Sequence, residues 1–189
     1  MKSILLNLLW IILGVMALIV IVFLLRVFFK RLHCRFSIRR HCRKHGLTFR
    51  AAHPLWWLGS RYLKGCDFII EGNNEVLAVK LFGCFWPLKS LILREYGEYC
   101  FRAHANLFKF ILDVFDGYPH PLPEYRFPEP GSKPQLNMLL ICPAPLDMHL
   151  QPSSGVEEVT GPGDLLRGME LASLPHLLRI AENTNRVSR

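Results

Sequence analysis

Residues 67–83 read DFIIEGNNEVLAVKLFG, and the fold turns on this stretch. Asp67 to Glu71 is a short run of Phe and Ile, side chains that suit a pleated, half-buried surface. Gly72-Asn73-Asn74 supplies residues that tolerate a tight reversal, and Glu75 to Gly83 is a second run rich in Val, Leu and Phe. Two such runs joined by a turn signal predict a β-hairpin. Ile69 and Val79 are expected on its buried side, with Asp67 and Lys80 at ordinary strand-end and edge positions.

Toward the C-terminus, Leu91 to Arg94 and Glu98 to Ala103 read as further strand material broken at Gly97, and Leu107 to Phe115 fits either helix or strand. Tyr118 to Pro134 holds six prolines, which bars a helix or a central strand and predicts a surface loop. Leu136 to Cys142 (LNMLLIC) is the next strand, stopped by Pro143 and Pro145. Gln151 to Gly163 is turn-rich with one brief strand candidate at Val156 to Thr160, and Asp164 to Leu171 fits strand or helix. Ser173 is placed to cap a helix running through Glu182, with Pro175 in the first turn, where its missing N–H costs nothing. Leu174, Leu177, Leu178 and Ala181 recur at helical spacing as its buried stripe. The order of elements predicts a mixed α/β domain, residues 47–189, with one sheet and a flanking helix.

Toward the N-terminus the composition changes. Phe49 to Leu63 is aromatic and irregular, with Trp56, Trp57 and Tyr62 around Pro54 and Gly59; it suits lipid headgroups and a protein core equally. Residues 30–46 read as a basic helix, with Leu32, Phe36 and Ile38 as its apolar minority and Gly46 as its stop. Ile4 to Phe29 is apolar but for Asn7, Gly14 and Arg26. A helix needs about 20 apolar residues to cross a bilayer, so residues 1–29 are expected to be a transmembrane anchor. A cleaved signal peptide would carry a shorter apolar stretch and small residues at its end. This run ends in Phe28, Phe29, Lys30 and Arg31.

Charge sets the expected orientation. There is no Asp or Glu from Met1 to Cys66, against 12 Lys and Arg; from Asp67 onward 15 acidic residues face 11 basic ones. The overall charge of +8 therefore belongs to the anchor and its flank, and gives no reason to expect a nucleic-acid partner. Lys30, Arg31, Arg35, Arg39, Arg40, Arg43 and Lys44 all follow the span, which predicts a cell-membrane protein with its N-terminus outside and its C-terminal domain cytoplasmic. The same seven residues are the candidate contacts to anionic lipid headgroups. Six cysteines without a CxxC pair read as reduced thiols, mostly in the core.

The hairpin also carries the one candidate for chemistry. Asp67, then Lys80 in the second strand, resembles the core of the restriction-endonuclease-like (PD-(D/E)xK) nucleases. The resemblance implies two carboxylates holding a divalent metal and a lysine orienting the attacking water. Asp67 matches the first acidic position and Lys80 the lysine, but the second carboxylate position is Ala78, leaving Glu71 or Glu75 to substitute from across the turn. Elsewhere His33, Cys34, His41, Cys42 and His45 crowd the basic helix, His41 and His45 on one face. They lack the spacing of a closed zinc site and sit among seven cations, so no metal or other cofactor is expected. Cys100 and His104 are the nearest thiol–imidazole pair, with no third group to orient them. The expected function is a membrane-anchored, non-catalytic binding or structural domain with a protein partner the sequence does not name. The alternative is a membrane-tethered, metal-dependent hydrolase at Asp67, Glu71, Glu75 and Lys80, or a degenerate nuclease-like domain.

Overall fold

In the computed structural model, which describes residues 2–58, 65–83, 89–103, 118–122, 125–153 and 155–185, helix α1 runs from Lys2 to Lys44. Its 43 residues are unbroken, about 65 Å at 1.5 Å per residue, so the apolar run and the basic flank are one rod. The helix stops as expected at Gly46, whose φ of 66° is left-handed, while Leu47 N–H donates to the Cys42 carbonyl.

The surface of α1 changes along its length. From Leu9 to Phe29 every residue is exposed except Phe23 and Val27. Val27, Arg31, Cys34, Ile38 and Cys42 then bury one stripe at spacings of three and four. The first part is apolar on every side but for Arg26 and is almost uncovered until Val27 and Phe28, the latter against Trp57; the second is one-sided and docked. By length and composition α1 can cross a membrane.

After Gly46 the chain reverses into β1 (Thr48–Ala51), a single 3₁₀ turn at Trp56–Leu58, then β2 (Phe68–Glu71) and β3 (Val76–Phe82). The predicted hairpin is present, with Phe68 opposite Val79 and Glu71 opposite Val76. β4 (Lys89–Arg94), β5 (Glu98–Ala103) and the two-residue β6 (His120–Pro121) follow. Next come β7 (Gln135–Ile141), β8 (Met148–Gln151), β9 (Glu158–Val159), β10 (Leu165–Leu166) and β11 (Met169–Ala172). Helix α2 (Leu174–Asn183) closes the described chain, capped by the Ser173 hydroxyl accepting from His176 N–H.

The fold is mixed α/β, as expected, but its strands form two sheets rather than one. The first has the order β1-β2-β3-β7-β11-β10 and the second β6-β5-β4-β8-β9, each containing both parallel and antiparallel pairs. β3 explains the split. Its edges are taken by β2 and β7, so the β4–β5 hairpin has no place beside it and forms a sheet of its own. Alternate residues of β3 then face two cores. Leu77, Val79 and Leu81 join Ile38, Cys42 and Leu177 of the helices, and Phe82 joins Leu93, Tyr99 and Phe101 of the second sheet. The molecule is three layers: helices, sheet, sheet.

Other expectations change with this arrangement. Ile69 lies opposite Ala78, on the face away from Val79, and is only half-buried; Phe68 and Ile70 are the residues that share the helix-side core with Val79. Thr48–Ala51 is a strand and not part of an irregular segment, because the turn at Gly46 lays it along β2. Trp56 and Trp57 belong to the core. Asp164–Leu171 resolves into the β10–β11 hairpin, whose Arg167-Gly168 turn has φ of 52° and 77°, the left-handed pair that matches strand twist. The proline-rich loop pairs with the edge of the second sheet through β6 and packs Leu122, Tyr125 and Phe127 against that sheet's core. Leu107–Phe115, Tyr62, Cys84 and His104 lie outside the described residues.

Candidate functional site

The hairpin brings Asp67 and Lys80 together. Lys80 Nζ donates to Asp67 Oδ1 at 3.1 Å and to the Gly65 carbonyl at 3.0 Å, and Leu81 N–H donates to Asp67 Oδ2 at 2.8 Å. The side chains are 0% and 1% exposed, a correction to the strand-end and edge positions expected for them. Tyr125 covers the pair, its ring centroid 5.5 Å from Lys80 Nζ. Burial pushes the Asp67 carboxyl up, against the opposing pull of the Leu81 N–H and Lys80.

Glu71 and Glu75 do not join them. Asp67 and Glu71 are four residues apart along an extended segment, about 13 Å, too far to share an ion. Glu71 is taken by Lys133 at 3.0 Å, which holds its carboxyl below the usual range, and by Arg50 at 3.7 Å. Glu75 is exposed in the turn, and Ala78 is buried opposite Ile69. What the geometry makes here is an internal ion pair, both acid oxygens filled by the protein's own donors.

The second place where polar side chains gather is the junction of α1 with the domain. Arg31 is 5% exposed, its guanidinium against Gly83. Arg35 lies 5.6 Å from the Trp57 ring and Arg39 5.7 Å from that of Phe49, cation–π contacts that hold both half-buried. Lys30, Arg40, Arg43 and Lys44 are exposed. Cys34 hydrogen-bonds to Cys142 at the end of β7; this bond and burial push the Cys34 thiol up, while Cys142 is drawn down. Burial pushes Cys42 up to about 11. The five described cysteines are free thiols, and Cys100 is buried.

At the far end of the junction α2 crosses α1. Asn185 Nδ2 donates to the His45 carbonyl at 2.7 Å, and Asn74 N–H donates to the Thr184 carbonyl at 3.1 Å, so the end of α2 is tied both to α1 and to the β2–β3 turn. This brings Glu182 to His41 and His45. Sequence reading found the histidine pair and missed the acid. The signal was an acidic residue one turn beyond Leu178, flanking the buried stripe of the helix that faces an otherwise basic one.

Two concavities complete the description. One of about 280 Å³ is lined by Tyr125, Arg126, Asn137 and Arg167 among others, and one of about 360 Å³ by Phe29, Lys30, His33, Pro143 and Leu174. No protein-family model matches the chain, and no curated protein or solved structure matches it significantly.

Proposed function

We propose that the chain is a single-pass membrane protein, N-terminus outside, that holds a non-catalytic binding or structural α/β domain on the cytoplasmic face. The observation that carries this reading is the change in the surface of α1. Residues Leu9 to Leu25 present apolar side chains in every direction with almost nothing packed on them, and the same helix then becomes one wall of a core. An uncovered apolar rod of this length is stable in hydrocarbon and costly in water. A cleaved leader fits poorly, because the helix passes without a break from the apolar run into buried Arg31, Cys34 and Ile38. The seven basic residues after the span favour the cytoplasmic side for the domain.

Lipid contact on this reading concentrates at the start of the flank. Lys30 is exposed beside Phe29, at headgroup level. Lys44 lies about 20 Å further along the helix, about two Debye lengths in physiological salt if α1 stands upright. Arg35 and Arg39 spend their charge on aromatic rings of the domain. Toward a protein partner, the neighbouring ends of the two sheets are the favoured surface. β9 and β10 are the terminal strands there, and Val156, Val159 and Leu165 are exposed on or beside them, Val159 at 81%. Strand edges that no described strand pairs, with exposed apolar side chains, suit an added strand.

Alkaline carbonate extraction of membranes containing the full chain tests the anchor. Retention in the membrane pellet is expected; release into the supernatant overturns the reading.

A further inference from the structure

We propose that His41, His45 and Glu182 form a site for one divalent transition-metal ion of the zinc class, clamping the end of α1 to the end of α2. His41 and His45 are one turn apart on α1, their rings stacked at 4.3 Å with 29° between planes. Glu182 reaches them from α2, and one ligand atom from each residue lies within 4.8 Å of the other two. Around a tetrahedral ion with bonds near 2.1 Å, ligand atoms sit about 3.4 Å apart, so the set closes with side-chain shifts of an ångström or so.

Two further observations point the same way. His41 Nε2 is buried with no side-chain partner, the ring otherwise meeting the Leu178 backbone, so a nitrogen beside the cluster is left for an ion to satisfy. The backbones carrying the ligands are already fixed to each other by the Asn185–His45 hydrogen bond, so little ordering is left for the ion to impose. Lys44 opposes a dication here, and Glu182 supplies the compensating charge. Two imidazoles and one carboxylate suit zinc, cobalt or nickel, and offer too few oxygens for calcium or magnesium. Three protein ligands leave the fourth position to water.

The test uses the full chain in detergent micelles, stripped with chelator and titrated with Co²⁺, then with Zn²⁺ during thermal melting. One equivalent of Co²⁺ is expected to give weak visible bands without a thiolate charge-transfer band, and Zn²⁺ to raise the melting temperature until one equivalent is bound. His45→Asn and Glu182→Gln are each expected to weaken binding by more than about tenfold while melting like the native chain when metal-free. His41→Asn repeats the measurement at the third ligand, which is half-buried. A thiolate band would put the ion on Cys34, Cys42 or Cys142 and overturn the proposal. So would no saturable binding, or equal affinity in the His45→Asn and Glu182→Gln chains.

Discussion

Asp67 and Lys80 stand one pair beyond the Phe68–Val79 step of the hairpin, and that register buries two charges that neither residue's sequence context announces. An acid at the start of a strand usually faces water. Here Tyr125 covers the pair, a contact from a residue far away in the chain. Removing one partner strands the other charge. Asp67→Ala or Lys80→Ala is therefore expected to lower unfolding free energy by about 3–5 kcal/mol, read from denaturant melts. The double change Asp67→Leu with Lys80→Met should recover much of the loss, since no lone charge is left buried. A small effect of either single change would mean that the pair is solvated. Val79, which shares a face with Phe68 and lies wholly within the helix-side core, should lose about 1–3 kcal/mol on truncation to Ala. Its burial was legible from strand alternation, whereas the placing of Ile69 failed because the buried face of β2 was assigned one residue out of step.

The acidic side chains that bridge loops make a separate pH prediction. Glu71 is held low by Lys133, Glu95 by the Ser153 N–H and Asp164 by the Gly161 N–H. A carboxyl lowered by folding contributes stability in full above its ordinary value, 4.5 for Glu and 3.8 for Asp, and loses it as pH falls through the folded value. Asp67 works in the opposite sense, because burial raises it and its contribution declines as pH climbs above 3.8. With three groups against one, the denaturant midpoint should fall between about pH 5 and about pH 3. Replacing Glu71 and Glu95 by Gln and Asp164 by Asn should flatten that fall; an unchanged slope would contradict the assignment.

At the scale of elements, contacts between neighbours in sequence were legible and those between distant segments were not. The β2–β3 turn, the apolar run of β7 and the cap and stripe of α2 are written in local residues: Gly72-Asn73-Asn74, LNMLLIC, Ser173 and the leucines. β1 was hidden because its partner is β2, beyond the aromatic segment, and β8 because it depends on β4. The second sheet did leave a trace. β3 and β7 are apolar at nearly every position rather than alternately, and a strand apolar on both faces needs a cover on each. Gly72 tests how the layers are joined. A Cβ there would meet the Thr184 side chain and, at 2.8 Å, its carbonyl oxygen, which belongs to the backbone and cannot swing away. Gly72→Ala is expected to cost about 1–3 kcal/mol and to speed hydrogen exchange at the Asn74 N–H, which bonds that carbonyl. Unaltered protection at Asn74 would show that the end of α2 adapts.

At the scale of the whole molecule, α1 is both the apolar rod and a wall of the domain, so the domain's core begins at Cys34 and not at residue 47. Length and apolarity made the rod legible from sequence. The dual role was not, because the buried stripe of Arg31, Cys34, Ile38 and Cys42 is overlaid by the basic residues on the other faces. If α1 spans a membrane as proposed, its unbroken run carries the domain directly off the span, and the central question is on which side of the membrane the domain lies. The direct measurement is a pair of reporters fused after Arg189, one active only in the cytoplasm and one only outside it. The account predicts cytoplasmic signal from the native chain, and a mixed signal once Lys30, Arg35, Arg39 and Arg40 are neutralised with the buried Arg31 left in place. Extracytoplasmic signal from the native chain would contradict it.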